Sequence, residues 1–168
     1  ELSFDEVLLK DVNFEIKSTD KVAIVGANGA GKTTLFQTIF NNNNSSIEIN
    51  ENIKIGYLSQ LQGQTLNYSN TIADEFFDIG FKTYDDIKEY LEGYNFDEEL
   101  LNQKIGTLSG GEKNLIQLAK ISEVGADLLL LDEPTSHLDT YSQIALEKAI
   151  KNYKGAILMV SHDYYTIA

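Results

Sequence analysis

Eight residues, Gly26–Thr33, fit the pattern G-x-x-x-x-G-K-[ST], in which glycines let successive backbone N–H groups converge on phosphate oxygens. The preceding run, Lys21–Val25, is typical of a strand, and apolar residues at helical spacing follow between Lys32 and Phe40. A glycine-rich turn between a strand and a helix predicts an α/β fold in which the helix N-terminus binds an anion. The alternative is a glycine-rich turn that arose by chance.

Further apolar runs predict the rest of a sheet. Asp127–Leu131 and Ala156–Val160 are apolar along both faces, and an amphipathic helix is predicted between them over Thr140–Tyr153. Such strands, separated by helices, are typical of a parallel sheet covered by helices. Shorter runs predict more strands: an antiparallel pair between Leu2 and Ile16, formed by Val7–Leu9 and by Val12, Phe14 and Ile16, and strands over Ile47–Ile49 and Ile53–Leu58.

Between Asn70 and about Gln103 the pattern is helical, with breaks at Gly80 and Gly93, and it predicts a small helical subdomain over about residues 65–106. Ser109 and Glu112 form a capping-box pattern that opens a further helix. Because no Pro- or Ser-rich linker divides the chain, we expect residues 1–168 to form one domain, belonging to a longer protein.

Composition excludes several classes of function. The formal net charge is −13, and all 13 cationic residues are Lys. This balance opposes direct binding of nucleic acid, whose phosphates require clustered cations. The absence of Cys excludes disulfides and thiolate metal sites. Apolar runs fall far short of the roughly 20 residues that a membrane-spanning helix needs.

The groups that could perform chemistry follow the glycine-rich turn and the Leu128–Leu131 run. Lys32 would reach the β- and γ-phosphates of a nucleotide, and the Thr33 hydroxyl would complete a magnesium shell. Asp132 would bind the magnesium ion, and Glu133 would orient or deprotonate the attacking water. The alternative makes both carboxylates helix caps or surface groups, although two charges after four leucines are costly unless compensated.

Two other segments carry polar groups. Ser109, Gly110 and Gly111 form a second helix N-terminus with bare amides, which is either an anion site or a capped helix without a ligand. A single triphosphate would have difficulty in reaching both this turn and the phosphate loop of one chain. His162 follows the last predicted strand and could hydrogen-bond a γ-phosphate; the alternative is a packing or surface histidine.

Taken together, these segments resemble the ATP-binding cassette family. The corresponding motifs are Walker A at Gly26–Thr33, the Q-loop at Gln60, the signature at Leu108–Glu112, Walker B at Leu128–Asp132, the catalytic Glu133, the D-loop at Ser136–Asp139 and the switch His162. The resemblance implies a P-loop NTPase core of the RecA-like type with an N-terminal antiparallel β subdomain. It also implies ATP and Mg²⁺ as ligands and a cytoplasmic location.

In this family two cassettes pack head to tail, and each ATP lies between the Walker motifs of one and the signature of the other. The resemblance therefore assigns Ser109, Gly110, Gly111 and Asp139 to the ATP of a partner cassette. Gln60 would contact magnesium and act in catalysis. Further nucleotide contacts would come from Asn28, Gly29, Ala30, Gly31 and Thr34, and from Phe4, which is equally interpretable as a strand core residue.

Glu112 in the signature, together with the sequences DEPTSHLD and SHDYY, is similar to the ABC-F branch. Its members are soluble proteins with two fused cassettes that act on ribosomes, some protecting them from antibiotics. We expect ribosome contact to be made by other parts of the longer protein. Two alternatives are the nucleotide-binding subunit of a membrane transporter, with a transmembrane permease as partner, and a dimerisation module with little turnover.

Overall fold

In a computed structural model of the chain, the structure describes residues 2–3, 7–9, 13–26, 31–42, 44–58, 66–135 and 138–161. The chain divides into two units. The sheet unit comprises Glu1–Ser59, Ala126–Pro134 and Lys154–Ala168, and the helical unit comprises Gln60–Gly125 and Thr135–Tyr153. Within the described residues, no helix is both long enough and apolar enough to cross a membrane. The boundaries predicted for one domain and its helical subdomain stay predictions.

Within the part of the sheet unit that the structure describes, the strands form two sheets. β1 (Leu2–Ser3) pairs antiparallel with β2 (Val7–Leu9). The main sheet contains the four parallel strands β3 (Lys21–Val25), β4 (Ile55–Leu58), β5 (Leu128–Asp132) and β6 (Ala156–Ser161), in the order β3-β6-β5-β4. Because β6 lies between β3 and β5, it is buried along its whole length. This agrees with its uninterrupted apolar sequence.

Among the described residues of the sheet unit, the helix α1 (Lys32–Asn41) packs on the core. It begins after Gly31, whose φ of 87° lies in the left-handed region that glycine enters without steric cost. Its inner face packs in a cluster with residues of β5 and β6; the cluster is Leu35, Phe36, Ile39, Leu130, Leu158 and Val160. Each such buried side chain contributes about 1.5–3 kcal/mol through removal of apolar surface from water. This packing fixes the position of α1, whose first residue is Lys32.

The helical unit contains four α-helices among its described residues: α2 (Ile72–Asp78), α3 (Tyr84–Glu92), α4 (Gly110–Val124) and α5 (Thr140–Asn152). Short 3-10 helices occupy Glu98–Asn102 and Ile105–Thr107. Each α-helix begins at a capping side chain that accepts a backbone N–H; the caps are Thr71, Thr83, Ser109 and Asp139. Such caps satisfy donors that a helix N-terminus otherwise leaves unpaired.

The contact of α4 with the segment that begins α5 requires glycine at position 111. A Cβ atom there would lie 2.8 Å from the Cβ of Ser142 and 2.9 Å from a methyl carbon of Leu138. A Cβ at the neighbouring Gly110 would meet nothing within 4 Å. Gly111 therefore serves close helix packing, whereas Gly110 is exposed.

Two predicted strands are absent from the described residues. Residues 13–17 and Ile47–Ile49 have no strand structure. Ile16, Ile47 and Ile49 pack as partly buried residues against the α1 cluster, while Phe14 is 46% exposed. The isoleucines of these two segments pack against the core. The described residues there do not pair with a neighbouring strand. The partner of β2 is instead Leu2–Ser3.

Candidate active site

The predicted chemical groups come from the carboxyl ends of parallel strands. β3 ends at Val25, directly before Gly26, and β5 ends at Asp132. The backbone N–H of Gly26 donates to the carbonyl oxygen of Ser161, 3.3 Å away at the end of β6. Ligands of open α/β sheets bind at this edge, where the strands end.

Lys32 and Glu133, 101 positions apart, form an ion pair at this edge. Lys32 Nζ lies 3.3 Å from Glu133 Oε1 and also donates to the carbonyl oxygen of Gly26. The side chains are 9% and 17% exposed, respectively. Because charged groups this shielded from water require compensation, each side chain of the pair compensates the charge of the other. An anionic ligand that attracts Lys32 would therefore compete with Glu133.

Asp132 is hydrogen-bonded by two hydroxyl groups from different elements. Its Oδ2 accepts from Thr33 Oγ1 of α1 at 3.0 Å and from the Tyr57 hydroxyl of β4 at 3.4 Å. Burial raises the pKa of Asp132, and the hydrogen bonds from Thr33 and Tyr57 oppose this. Burial, followed by the charge of Asp132, raises the pKa of Tyr57 to about 12, so its hydroxyl stays a proton donor at neutral pH.

Glu133 has an unusual backbone conformation. Its φ is +49°, a left-handed value that is uncommon for residues other than glycine, and Pro134 follows it directly. The Glu133 N–H donates to the carbonyl oxygen of Val160 at 2.9 Å, which ties this turn to the end of β6. Backbone strain of this kind persists only where the surrounding structure maintains it. Such positions cluster at functional sites. From this backbone position the Glu133 side chain contacts Lys32.

The donor set at Asp132 fits Mg²⁺. This ion prefers oxygen ligands, keeps several waters and is typically held by one or two carboxylates together with substrate phosphates. Asp132 supplies a carboxylate whose charge is disfavoured by burial, and Thr33 supplies a hydroxyl oxygen 3.0 Å from it. A cation bound by these two residues would relieve the cost of the buried charge.

Ser109 and Asp139 both lie at exposed helix N-termini of the helical unit. Ser109 Oγ accepts the Glu112 N–H at 3.1 Å, while Glu112 Oε2 accepts the Ser109 N–H at 2.8 Å. Asp139 Oδ1 accepts the Ser142 N–H at 2.7 Å. The capping box predicted from Ser109 and Glu112 is thus confirmed. The Ser109 hydroxyl still has a proton to donate, because it acts as an acceptor in its cap.

The structure locates some of the predicted site residues. It brings Lys32, Thr33, Asp132 and Glu133 together, and it places Gly26 and Gly31 at the two ends of the loop. Thr34 lies on α1, where its carbonyl oxygen accepts from Thr38 Oγ1 at 2.8 Å. The remaining predicted contacts lie outside the described residues: Phe4, Asn28, Gly29, Ala30, Gln60 and His162.

Tyr57 was not predicted as a site residue. Tyr57 lies one residue before the end of a strand that the sequence did predict, but the pairing of that strand with β5 could not be read from the sequence. The left-handed backbone at Glu133 was also not predicted, because a residue directly before proline favours an extended conformation with negative φ.

Comparisons with known proteins agree with the motifs. The protein family described as ABC transporter matches residues 9–136, which include the phosphate loop, the signature and both carboxylates. ABC transporter F family member 5 of Arabidopsis thaliana is 37% identical over 168 residues, covering 97% of this chain and 24% of that protein. The energy-dependent translational throttle protein EttA of Escherichia coli strain K12 is 34% identical, covering 95% of this chain and 30% of that protein. The chain thus spans about a quarter to a third of their length.

A solved structure shows the same fold. It is described as an ABC transporter ATP-binding protein from Pyrococcus furiosus and has a TM-score of 0.77 at 23% identity. The match covers 96% of this chain and 87% of that one, which confirms the predicted α/β class of a P-loop NTPase core. Since the family match covers most of the chain and includes the residues of the site, this chain belongs to the ATP-binding cassette (ABC transporter) family and is similar to its F members.

Proposed function

We propose that this chain is one ATP-hydrolysing cassette of a longer cytoplasmic protein of ABC-F type that acts on the ribosome. The observation that carries the ATPase proposal is the cluster of Lys32, Thr33, Asp132 and Glu133 at the carboxyl edge of the sheet. The ribosomal role is supported by similarity to a translational throttle protein and to F family members. The net charge of −13 favours ribosome contact through other parts of the protein.

In the proposed reaction the substrate triphosphate attracts Lys32 away from Glu133. The ammonium then stabilises charge that develops on the phosphoryl oxygens, and the Glu133 carboxylate accepts a proton from the attacking water. The oxygen of this water bonds to the γ-phosphorus while the bond from that phosphorus to the bridging oxygen breaks, so that ADP and phosphate leave. Asp132 and Thr33 would hold Mg²⁺, which, when bound, polarises the phosphoryl oxygens. His162 and Gln60 are further proposed catalytic residues, and the loop residues from Gly26 to Thr34 bind phosphate. Substrate phosphate and Glu133 would thus compete for the Lys32 ammonium.

We also propose that the site is completed by a second cassette. Ser109 and Gly110 are exposed at the N-terminus of α4, where bare amides and the helix dipole favour an anion. The Ser109 hydroxyl can donate to a phosphate while its oxygen caps the helix. Ser109, Gly110, Gly111 and Asp139 would contact the nucleotide held by the partner, and that partner's signature would contact the nucleotide at Lys32.

The proposal that two cassettes share each ATP site can be tested with two substitutions that both retain a helix cap. Asp and Asn are both good N-caps, so Ser109→Asp and Ser109→Asn should fold alike, whereas only the carboxylate repels a triphosphate. In the complete protein we expect Ser109→Asp to reduce ATP turnover at least tenfold more than Ser109→Asn. Binding of ATP to the chain's own Lys32 site, measured by calorimetry, should be unchanged. Equal turnover in the two variants would contradict the proposal that Ser109 contacts ATP.

The ribosomal role is tested by cosedimentation of the complete protein with ribosomes. We expect more protein in the ribosomal pellet with a non-hydrolysable ATP analogue than with ADP, because closure on ATP creates the binding conformation. A Lys32→Ala variant, which lacks the ammonium that binds phosphate, should lose the difference between nucleotides. Cofractionation with a transmembrane permease, with no nucleotide-dependent pelleting, would favour the transporter subunit instead.

A further inference from the structure

Tyr57 connects the helix that follows the phosphate loop to the strand that carries Asp132. It lies on β4, in register with Leu130 of β5. Its ring packs edge-on against Phe36, with ring centroids 6.0 Å apart, and is tilted against Phe40 at 5.6 Å. Both phenylalanines belong to α1, so the ring is held by the helix that begins with Lys32 and Thr33. Its hydroxyl reaches Asp132 Oδ2 at 3.4 Å.

We infer that Tyr57 is a positioning residue that orients the Asp132 carboxylate toward a divalent cation. This inference rests on the proposed ATPase function. Oδ2 receives hydrogen bonds from two directions, one from Thr33 on α1 and one from Tyr57 on β4, which together restrict rotation of the carboxylate. Tyr57 itself does not touch the substrate; it acts through Asp132.

Hydrogen bonds to a side chain that binds a metal ion affect metal affinity, because they orient that side chain before the metal arrives. Loss of such a partner typically weakens metal binding by about 10–100-fold. At 3.4 Å the Tyr57 bond is long for an O–H donor, so we expect an effect near the lower end of that range. The hydroxyl contributes to this orientation separately from the ring, which packs on α1.

Tyr57→Phe separates the two contributions, since it keeps the ring that packs against Phe36 and removes only the hydroxyl. Tyr90→Phe is a matched control in the helical unit. The Tyr90 hydroxyl donates to the carbonyl oxygen of Ala119 at 2.8 Å, and its ring also lies in an aromatic cluster. Both variants therefore remove a hydroxyl that forms a hydrogen bond from a packed ring, but of the two tyrosines Tyr57 alone contacts Asp132.

The experiment measures Mn²⁺ affinity of the complete protein with ADP bound, by electron paramagnetic resonance of free Mn²⁺. We expect the Mn²⁺ Kd to rise about tenfold in Tyr57→Phe and to stay unchanged in Tyr90→Phe. Affinity for ADP in excess chelator should be the same in both variants and in the unsubstituted protein. Thermal unfolding of each variant confirms that the comparison is made on folded protein.

Two results would overturn the inference. An unchanged Mn²⁺ Kd in Tyr57→Phe would show that the hydroxyl does not orient Asp132. An equal loss of ADP affinity with and without Mn²⁺ would assign Tyr57 to packing under the phosphate loop. Failure of the unsubstituted protein to bind Mn²⁺ with ADP would instead reject the proposed function, and the positioning role with it.

Discussion

Replacing Glu133 with Gln is expected to slow ATP hydrolysis by about 10²-fold or more while leaving ATP binding intact. The amide cannot accept a proton from water, so assistance by a general base is lost. Its oxygen can still accept from Lys32, whose ammonium lies 3.3 Å from Glu133 Oε1, so the contact between the two side chains should be kept. Bound ATP should therefore persist, and, on the proposal of a second cassette, a closed pair of cassettes should accumulate.

Single-turnover hydrolysis of radiolabelled ATP measures the chemical step, and gel filtration with ATP detects the closed state. Glu147→Gln is a suitable control, because it makes the same chemical change on α5, where Glu147 accepts a bond from Gln143 at 3.2 Å. That variant should hydrolyse ATP at the unsubstituted rate. Unchanged hydrolysis in Glu133→Gln would remove Glu133 from the mechanism.

Replacing Phe36 with Ala is expected to lower the free energy of unfolding by about 3–5 kcal/mol. Phe36 is fully buried between α1 and the sheet, where Leu130, Leu158 and Val160 belong to the same cluster. Truncation removes the transfer free energy of the ring and leaves a cavity beside Tyr57. Because small domains are stable by only about 5–15 kcal/mol, this loss is a large fraction of the total.

Urea denaturation followed by circular dichroism measures this loss. The control is Phe40→Ala on the same helix, where the side chain is 47% exposed. It removes the same ring from a half-exposed position, so we expect a loss of about 1 kcal/mol. Losses of equal size in the two variants would contradict a core centred on Phe36.

Much of the fold was predictable because the relevant interactions are local. The strand–turn–helix order around Gly26–Thr33 follows from residues close in sequence, and so does the cap formed by Ser109. The apolar runs of β5 and β6 were also recognised, since a strand buried on both faces needs no alternation. The strand predicted at Ile47–Ile49 was wrong, because strand pairing depends on a neighbour that is distant in the sequence.

The candidate site also combines residues that short motifs predict with a contact that depends on strand pairing. Lys32, Thr33, Asp132 and Glu133 were each identifiable from a short motif, because phosphate and metal binding require particular residue types at fixed spacing. By contrast, the hydrogen bond of Tyr57 to Asp132 joins residues 75 positions apart and depends on β4 pairing with β5.

The sequence alone determined the chemistry that the chain can carry: a loop for phosphate, a lysine, a hydroxyl and two carboxylates at strand ends. Only the tertiary structure decided how these groups pair with one another, with Lys32 paired to Glu133 and Asp132 held by Thr33 and Tyr57. The reason is that local motifs specify backbone geometry over a few residues, whereas buried charges must find partners across the whole sheet.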